Sequence, residues 1–317
     1  MDVEPVVDLS ELRFVGVGLQ RPECVVATSD GTLHVSDWRG GVTRIAADRT
    51  QTTVIGRHEA ALRPNGIAVD VDGSYLIAHL GDDTGGVFRL HPDGRVEAVV
   101  DEVDGRPLPP TNFVHFGPDG RVWVTVSTRR RPRQSAYRSD VADGFIVQLA
   151  DGVATIVADD LGYTNEARVD PTEQYLYVNE TFARRLSRFP ITPTGLGTRE
   201  TIARFGEGTY PDGLEFDQRG GIWVTSIISN RLLRIDAEGE VECVLADADP
   251  AEVEEVERRY VANELTSEDL NAARGTILAN ISSLAFGGPD RRQVYLGCLG
   301  GERLATFRSP YPGPASW

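Results

Sequence analysis

Glu23, Asn65, Asn112, Asn165, Asp212 and Ser282 open six short apolar runs along this chain, in the contexts RPEC, RPNG, PTNF, YTNE, YPDG and ISSL. Acids and amides delivered to one point from separate segments have a specific chemical use. Two carboxylates with neutral oxygen donors suit a hard divalent cation, and Ca²⁺ takes about six to eight oxygens from carboxylates, amide carbonyls and water. No cluster of His and Cys competes for that role, which argues against zinc or copper. Any one of these positions alone is explained better by the preference of Asn and Asp for the turn before a strand. Four in register, Glu23, Asn112, Asn165 and Asp212, are not, because burying carboxylates together is costly and a cation relieves the cost. Asn65 and Ser282 read as substrate contacts or as space.

What holds such a row in register is a repeat. Each copy has an apolar strand after the anchor, a turn bearing Asp or Gly, and a second strand rich in aromatic and β-branched residues. A third strand of the type Val-x-Arg-Ile often follows. The copies begin RPECVVATSDGTLHVSD at Arg21, RPNGIAVDVDGSYLIAH at Arg63, PTNFVHFGPDGRVWVTV at Pro110, YTNEARVDPTEQYLYVNE at Tyr163, YPDGLEFDQRGGIWVTS at Tyr210 and ISSLAFGGPDRRQVYLG at Ile281. Their anchors are 42, 47, 53, 47 and 70 residues apart. Repeats of about 40 to 50 residues with several strands each mark propeller blades. One blade cannot bury both its faces, so six must stack around an axis. The expectation is an all-β fold, a six-bladed β-propeller forming one domain over residues 1–317. Innermost strands line the axis, so all six anchors point to the same end of the channel. Leu12 to Gly18, LRFVGVG, is expected to add a strand to the last blade and close the ring.

Composition narrows the function classes. The net charge of −16 over 317 residues disfavours a nucleic-acid or anionic-membrane partner, since a phosphate surface needs a basic face. Cys24, Cys243 and Cys298 are odd in number and widely spaced, which reads as reduced thiols. Met1 to Gln20 has acidic residues and no long apolar run, unlike a secretory leader. No stretch approaches the roughly 18 apolar residues of a membrane span. A soluble, cytoplasmic protein is expected, monomer or homodimer.

Two stretches break the repeat. Ser127 to Gly144 carries Arg129, Arg130, Arg131, Arg133 and Arg138. Its plain reading is a solvated surface loop; its sharper one is a rim loop that attracts an anionic substrate, with Arg129 as a substrate contact. Asp249 to Asn280 reads as two helices, an insertion over about 250–279. Asp249 caps the first before Pro250, and Thr266 or Ser267 caps the second. They lid the channel, form a subunit contact or decorate the surface. Trp38 follows the second strand of the first copy and is a candidate pocket wall. His115 lies at an odd offset from Asn112 and should face away from the channel. His34 and His79 read as packing or surface histidines, and Cys24 as packing between blades. No serine lies in a Gly-x-Ser-x-Gly elbow, which argues against a serine hydrolase.

On RPEC, TNFV, TNEA and PDGLEFD, the chain resembles the family of metal-dependent six-bladed propellers that includes the senescence-marker proteins (regucalcins), gluconolactonases and diisopropyl-fluorophosphatases. The resemblance runs from Arg21 to Phe286 and the strand after it. It implies that Glu23, Asn112, Asn165 and Asp212 surround a catalytic divalent metal, with Asp212 also the base. Ca²⁺ is the metal expected first, with Mg²⁺, Mn²⁺ or Zn²⁺ as alternatives. Asn112 binds metal in some members and substrate in others. Sugar-lactone members read Arg-x-Asn-Asp-Gly at the third blade, whereas this chain reads Pro110-Thr111-Asn112-Phe113-Val114. At the fourth blade Glu166 adds a carboxylate where Gly is usual.

The implied reaction is attack of a metal-activated water on a lactone or related ester, with Asp212, or else Glu166, taking the proton. Two other readings stand beside it. One is a phosphotriesterase, or a non-hydrolytic enzyme of the strictosidine-synthase type, in the same pocket. The other is a propeller that binds without catalysis, for which a convergent acid-and-amide row has no use.

Overall fold

Strands dominate because most of the chain alternates between turn-forming Asp/Gly pairs and β-branched or aromatic runs. The structure is a computed structural model that describes residues 5–58 and 61–314. The first four residues of the segment read as leaderless lie outside the described residues.

Six antiparallel sheets of four or five strands succeed one another along the chain, with a two-stranded hairpin, Glu102–Val103 with Arg106–Pro107, between the second and third. Blade one holds Val25–Ala27, Leu33–Asp37, Gly41–Ile45 and Gln51–Ile55. The inner strands of blades two to five are Pro64–Val69, Thr111–Phe116, Thr164–Val169 and Thr209–Phe216. Blade six has Ile281–Gly287 innermost, then Gln293–Cys298 and Leu304–Arg308. Its outermost strand comes from the other end of the chain: Arg13–Val15 pairs antiparallel with Leu304–Arg308. Each inner strand touches the inner strands of both neighbouring blades, and blade six meets blade one. The ring is closed, and the fold is a six-bladed β-propeller.

Apolar side chains fill the wedges between blades. Trp123 and Trp223 hold the same place in the third and fifth repeats and are buried. Trp223 packs with Leu284, Phe286 and Val294 of blade six, its ring edge-on to Phe286 at 5.1 Å. Between blades five and six the chain leaves the sheets for α1 (Pro250–Val261) and α2 (Ser267–Ala272). Asp249 caps α1, accepting from the amides of Ala251 and Glu252, and Thr266 caps α2 in a box with Asp269. Val256, Tyr260 and Leu270 of these helices pack with Tyr137 of the Arg-rich loop and with Phe182 and Tyr210. The helices therefore sit on the face where the inner strands begin.

Candidate active site

The anchors owe their direction to irregular backbone. In blades two to six, pairing between inner and second strand shifts register at the anchor: between Pro64 and Ile67, Thr111 and Phe113, Thr164 and Ala167, Pro211 and Leu214, and Ile281 and Ser283. A bulge leaves residues unpaired and re-aims their side chains. Asn65, Asn112, Asn165, Asp212 and Ser282 all sit inside these bulges. In blade one, Glu23 precedes the inner strand, and Arg21, at φ 46, turns the chain there.

Side chains of the second strands take up the backbone groups that the irregularities free. Cys24 N donates to Ser36 Oγ at 2.9 Å and Gly213 N to Thr225 Oγ1 at 2.7 Å. Asn179 Nδ2 donates to the carbonyls of Asp212 and Gly213, each at 3.0 Å. The blades approach so closely that the residue after Asp212 must be glycine. A Cβ on Gly213 would lie 2.5 Å from the Ser282 carbonyl oxygen and 2.6 Å from Ser283 Cα.

All six anchors meet. Together with Cys24, Gly66, Phe113 and Glu166 they line a cavity of about 170 Å³, too narrow to centre a free water-sized sphere. None of the six is more than 7% exposed. Asn65 Nδ2 donates to the Asn112 carbonyl at 3.0 Å, and Asn165 Nδ2 to Thr181 Oγ1 at 3.0 Å. Thr181 in turn donates to the Pro211 carbonyl at 2.8 Å. Asn65 Oδ1 and Asn112 Oδ1 are buried with no hydrogen-bond partner among the described residues. Ser282 Oγ is committed to the Glu23 carbonyl at 2.9 Å.

The carboxyl groups strain against one another. Burial drives Asp212 well above the usual carboxylate range; the charges of Glu23 and Glu166 push the same way, and Arg21 and Arg133 oppose them. Glu166 is pushed up to about 8 by burial, against the pull of Arg168 and of the Leu214 amide, 3.1 Å from Oε2. Glu23 accepts from Arg21 Nε at 3.0 Å. Among the described residues no three His, Cys, Asp or Glu side chains gather as a metal group. A cation held here therefore draws on amide oxygens as well as carboxylates, and the unpartnered Oδ1 atoms are of that kind.

Beside the anchors, where Arg21 pairs with Glu23, lies a cleft of about 700 Å³ at this end of the channel. Arg21, Trp38, Arg63, Arg131 and Arg133 border it, together with Ser267 and Asn271 of α2. Trp38 thus walls this mouth, with the Arg21 guanidinium 4.4 Å above its ring. Arg129 does not reach it. Its guanidinium makes a two-pronged pair with Asp159, at 2.7 and 2.9 Å, and lies over Phe145 at 4.2 Å. The substrate contact expected of Arg129 is corrected accordingly, and Arg131 and Arg133 are the arginines of that loop at the mouth. Five arginines in one loop carry no periodicity that marks which of them turns inward.

His115 is a second correction. Alternation from Asn112 was expected to turn it away from the channel, but the bulge resets the alternation. His115 lines the cavity at the opposite end of the inner strands, with Arg168 and Glu215. Arg168 lies 3.8 Å from Glu166 and 3.6 Å from Glu215. That far cavity contains none of the anchors. The remaining candidates are packed into the fold. His34 Nδ1 is 3.0 Å from Tyr75 Oη, His79 Nδ1 accepts from Arg63 N at 2.9 Å, and Cys24 Sγ accepts from Ile67 N of the next blade at 3.5 Å.

Residues 21–246 match the family model described as SMP-30/Gluconolactonase/LRE-like region. The chain belongs to this family. The SMP-30/gluconolactonase region takes in five of the six anchors, and α1, α2 and blade six lie beyond it. Among similar proteins, a 6-deoxy-6-sulfogluconolactonase from Pseudomonas putida is 27% identical over 160 residues, 49% of this chain and 53% of the relative. The chain thus spans about half the length of that relative. The pentonolactonase XacC from Haloferax volcanii is 28% identical over 258 residues, 78% of this chain and 72% of the relative. A solved regucalcin from Agrobacterium tumefaciens, described as a calcium-binding protein, shares the fold. Its TM-score is 0.66 at 18% identity, over 95% of each chain.

Proposed function

We propose that the chain is a divalent-metal-dependent hydrolase that opens a lactone, or cleaves a related ester, with Asp212 as the base. The observation that carries this reading is the meeting of Glu23, Asn112, Asn165 and Asp212 in one buried cavity beside two unpartnered amide oxygens. The donor set suits a hard ion, Ca²⁺ before Mg²⁺, Mn²⁺ or Zn²⁺, and these four residues would hold it. When bound, the ion supplies Lewis-acid polarisation of the ester carbonyl and compensates the two carboxylates.

The chain's own groups do the rest. Asp212, buried beside Glu23 and Glu166, takes the proton of a water as its oxygen adds to the carbonyl carbon. The proton then passes to the ring oxygen as the C–O bond breaks, leaving a hydroxy acid. Glu166 is a second carboxyl in the cavity, with Oε2 already accepting from Leu214 N. Asn65 and Trp38 border the space for substrate. The lactonase names of relatives support the substrate class, and regucalcin's description supports the metal. No helix among the described residues is long and apolar enough to cross a membrane. We read the protein as cytoplasmic, a monomer or homodimer.

A panel of sugar and aliphatic lactones, aryl esters and phosphotriesters, followed by acid release, tests the reading. Lactones should be opened in the metal-loaded protein and not after chelation. Asp212→Ala should lose about a thousandfold or more in kcat. A folded Asp212→Ala variant with full turnover would show that Asp212 is not the base.

A further inference from the structure

The mouth of the channel is basic in a chain whose formal net charge is −16. Four arginines border it, and two are neutralised where they stand: Arg21 by Glu23, at 3.0 Å, and Arg63 by Asp82. The other mouth carboxylate is the exposed Asp83. Arg131 and Arg133 come from the loop after the second strand of blade three. On that loop Arg129, Arg130 and Arg138 pair with Asp159, Asp143 and Asp140. The two arginines that reach the mouth are the two that make no ion pair among the described residues.

Arg133 is the better placed of the pair. It is half-buried, whereas Arg131 is exposed. Its contacts are Ser127 Oγ at 3.4 Å and the Tyr163 ring at 5.4 Å, and its charge acts on both Glu23 and Asp212. It opens a short 3₁₀ turn, Arg133–Ala136, followed by Tyr137, whose ring stacks on Phe182 at 4.6 Å. That base packs against both helices, so the guanidinium is held and not tethered. A half-buried guanidinium with no described carboxylate at ion-pair distance is an anion-binding group, and its planar fork fits carboxylate, sulfonate or phosphate oxygens. Trp38, which also lines the mouth, has in Nε1 a buried donor with no partner among the described residues.

We propose that the substrate is an anionic lactone, carrying a carboxylate, sulfonate or phosphate away from its ring carbonyl, and that Arg133, seconded by Arg131, binds that group at the mouth. The ester end rests on the lactonase reading above; the anion site stands on the arginines alone.

The test compares D-glucono-1,5-lactone with its 6-phosphate and its 6-deoxy-6-sulfonate, and sorbitol 6-phosphate with sorbitol. The wild type should favour the anionic lactones at least about tenfold in kcat/KM, mainly through KM. Calorimetry should find sorbitol 6-phosphate bound at least about tenfold more tightly than sorbitol. Arg133→Gln should shrink both ratios by about tenfold and Arg133→Lys by less. Arg258→Gln, which removes the same charge from exposed α1, should leave both ratios as they are. Binding of sorbitol 6-phosphate no tighter than that of sorbitol overturns the proposal, as does an Arg133→Gln effect equal on neutral and anionic lactones. If sorbitol 6-phosphate binds through Arg133 and no lactone is opened, the anion site is upheld and the lactonase reading falls.

Discussion

At the scale of single residues, the site works by leaving groups unsatisfied. Among the described residues Asn65 and Asn112 each keep a buried carbonyl oxygen without a donor, and burial beside two other acids disfavours the charge of Asp212. Such groups cost about 1–3 kcal/mol each when nothing meets them. If a cation is what meets them, Asn112→Ala should weaken Ca²⁺ binding by about tenfold or more in calorimetry while the protein still folds. The glycine behind Asp212 is a different demand, one of space alone. Gly213→Ala should cost about 2 kcal/mol or more in urea unfolding, because the backbone of blade six has nowhere to move. The anchor types were readable from the chain, since an acid or amide recurs at a fixed place in five of the six repeats. Arg133 was not. Its role follows from which neighbours lack an aspartate, and that is a property of folded pairs rather than of spacing.

At the scale of elements, strand periodicity predicted the blades but not the bulges in them. A bulge changes which residues share a face without changing their types, which is why His115 came out on the channel side. The signal that was present lay in the second strands. Ser36, Asn179 and Thr225 are polar residues that each follow a valine in a second strand, and each bonds backbone at or beside an anchor. Thr225 also donates to the Ser282 carbonyl at 2.9 Å, tying blade five to blade six. Thr225→Val strands both backbone groups and should destabilise by about 2 kcal/mol, read from the urea midpoint at constant m. Between blades one and two, burial, with help from Arg44, lowers His34 from 6.5 to about 4, against the pull of Asp30. The unfolded chain therefore binds this proton first as pH falls. Stability held by the neutral ring is complete above about pH 6.5 and drains toward pH 4, by on the order of 3 kcal/mol. His34→Gln should flatten the melting curve across that window and leave it unchanged near pH 8.

At the scale of the molecule, one strand from the start of the chain completes the sixth blade, so the ring and the site are closed by the same contact. Glu23 lies just after Arg13–Val15, and Ser282 opens the blade that this strand completes. The closure was foreseeable from LRFVGVG; the seating of α1 and α2 at the mouth was not, because capping signals place a helix in the chain and say nothing of the surface it covers. Removing residues 1–15 should expose the edge of Leu304–Arg308 and lower the melting temperature by about 10 °C or more, with a loss of metal response. The reading to be tested is that Glu23, Asn112, Asn165 and Asp212, brought together from four blades, hold a cation. The direct measurement is lactone hydrolysis before chelation, after chelation and after return of Ca²⁺, with melting temperature followed in the same samples. Turnover and melting temperature should fall together on chelation and recover together in the wild type, and neither should respond in Asp212→Ala. Undiminished turnover in chelator, with no shift in melting on adding Ca²⁺, Mg²⁺, Mn²⁺ or Zn²⁺, would contradict it.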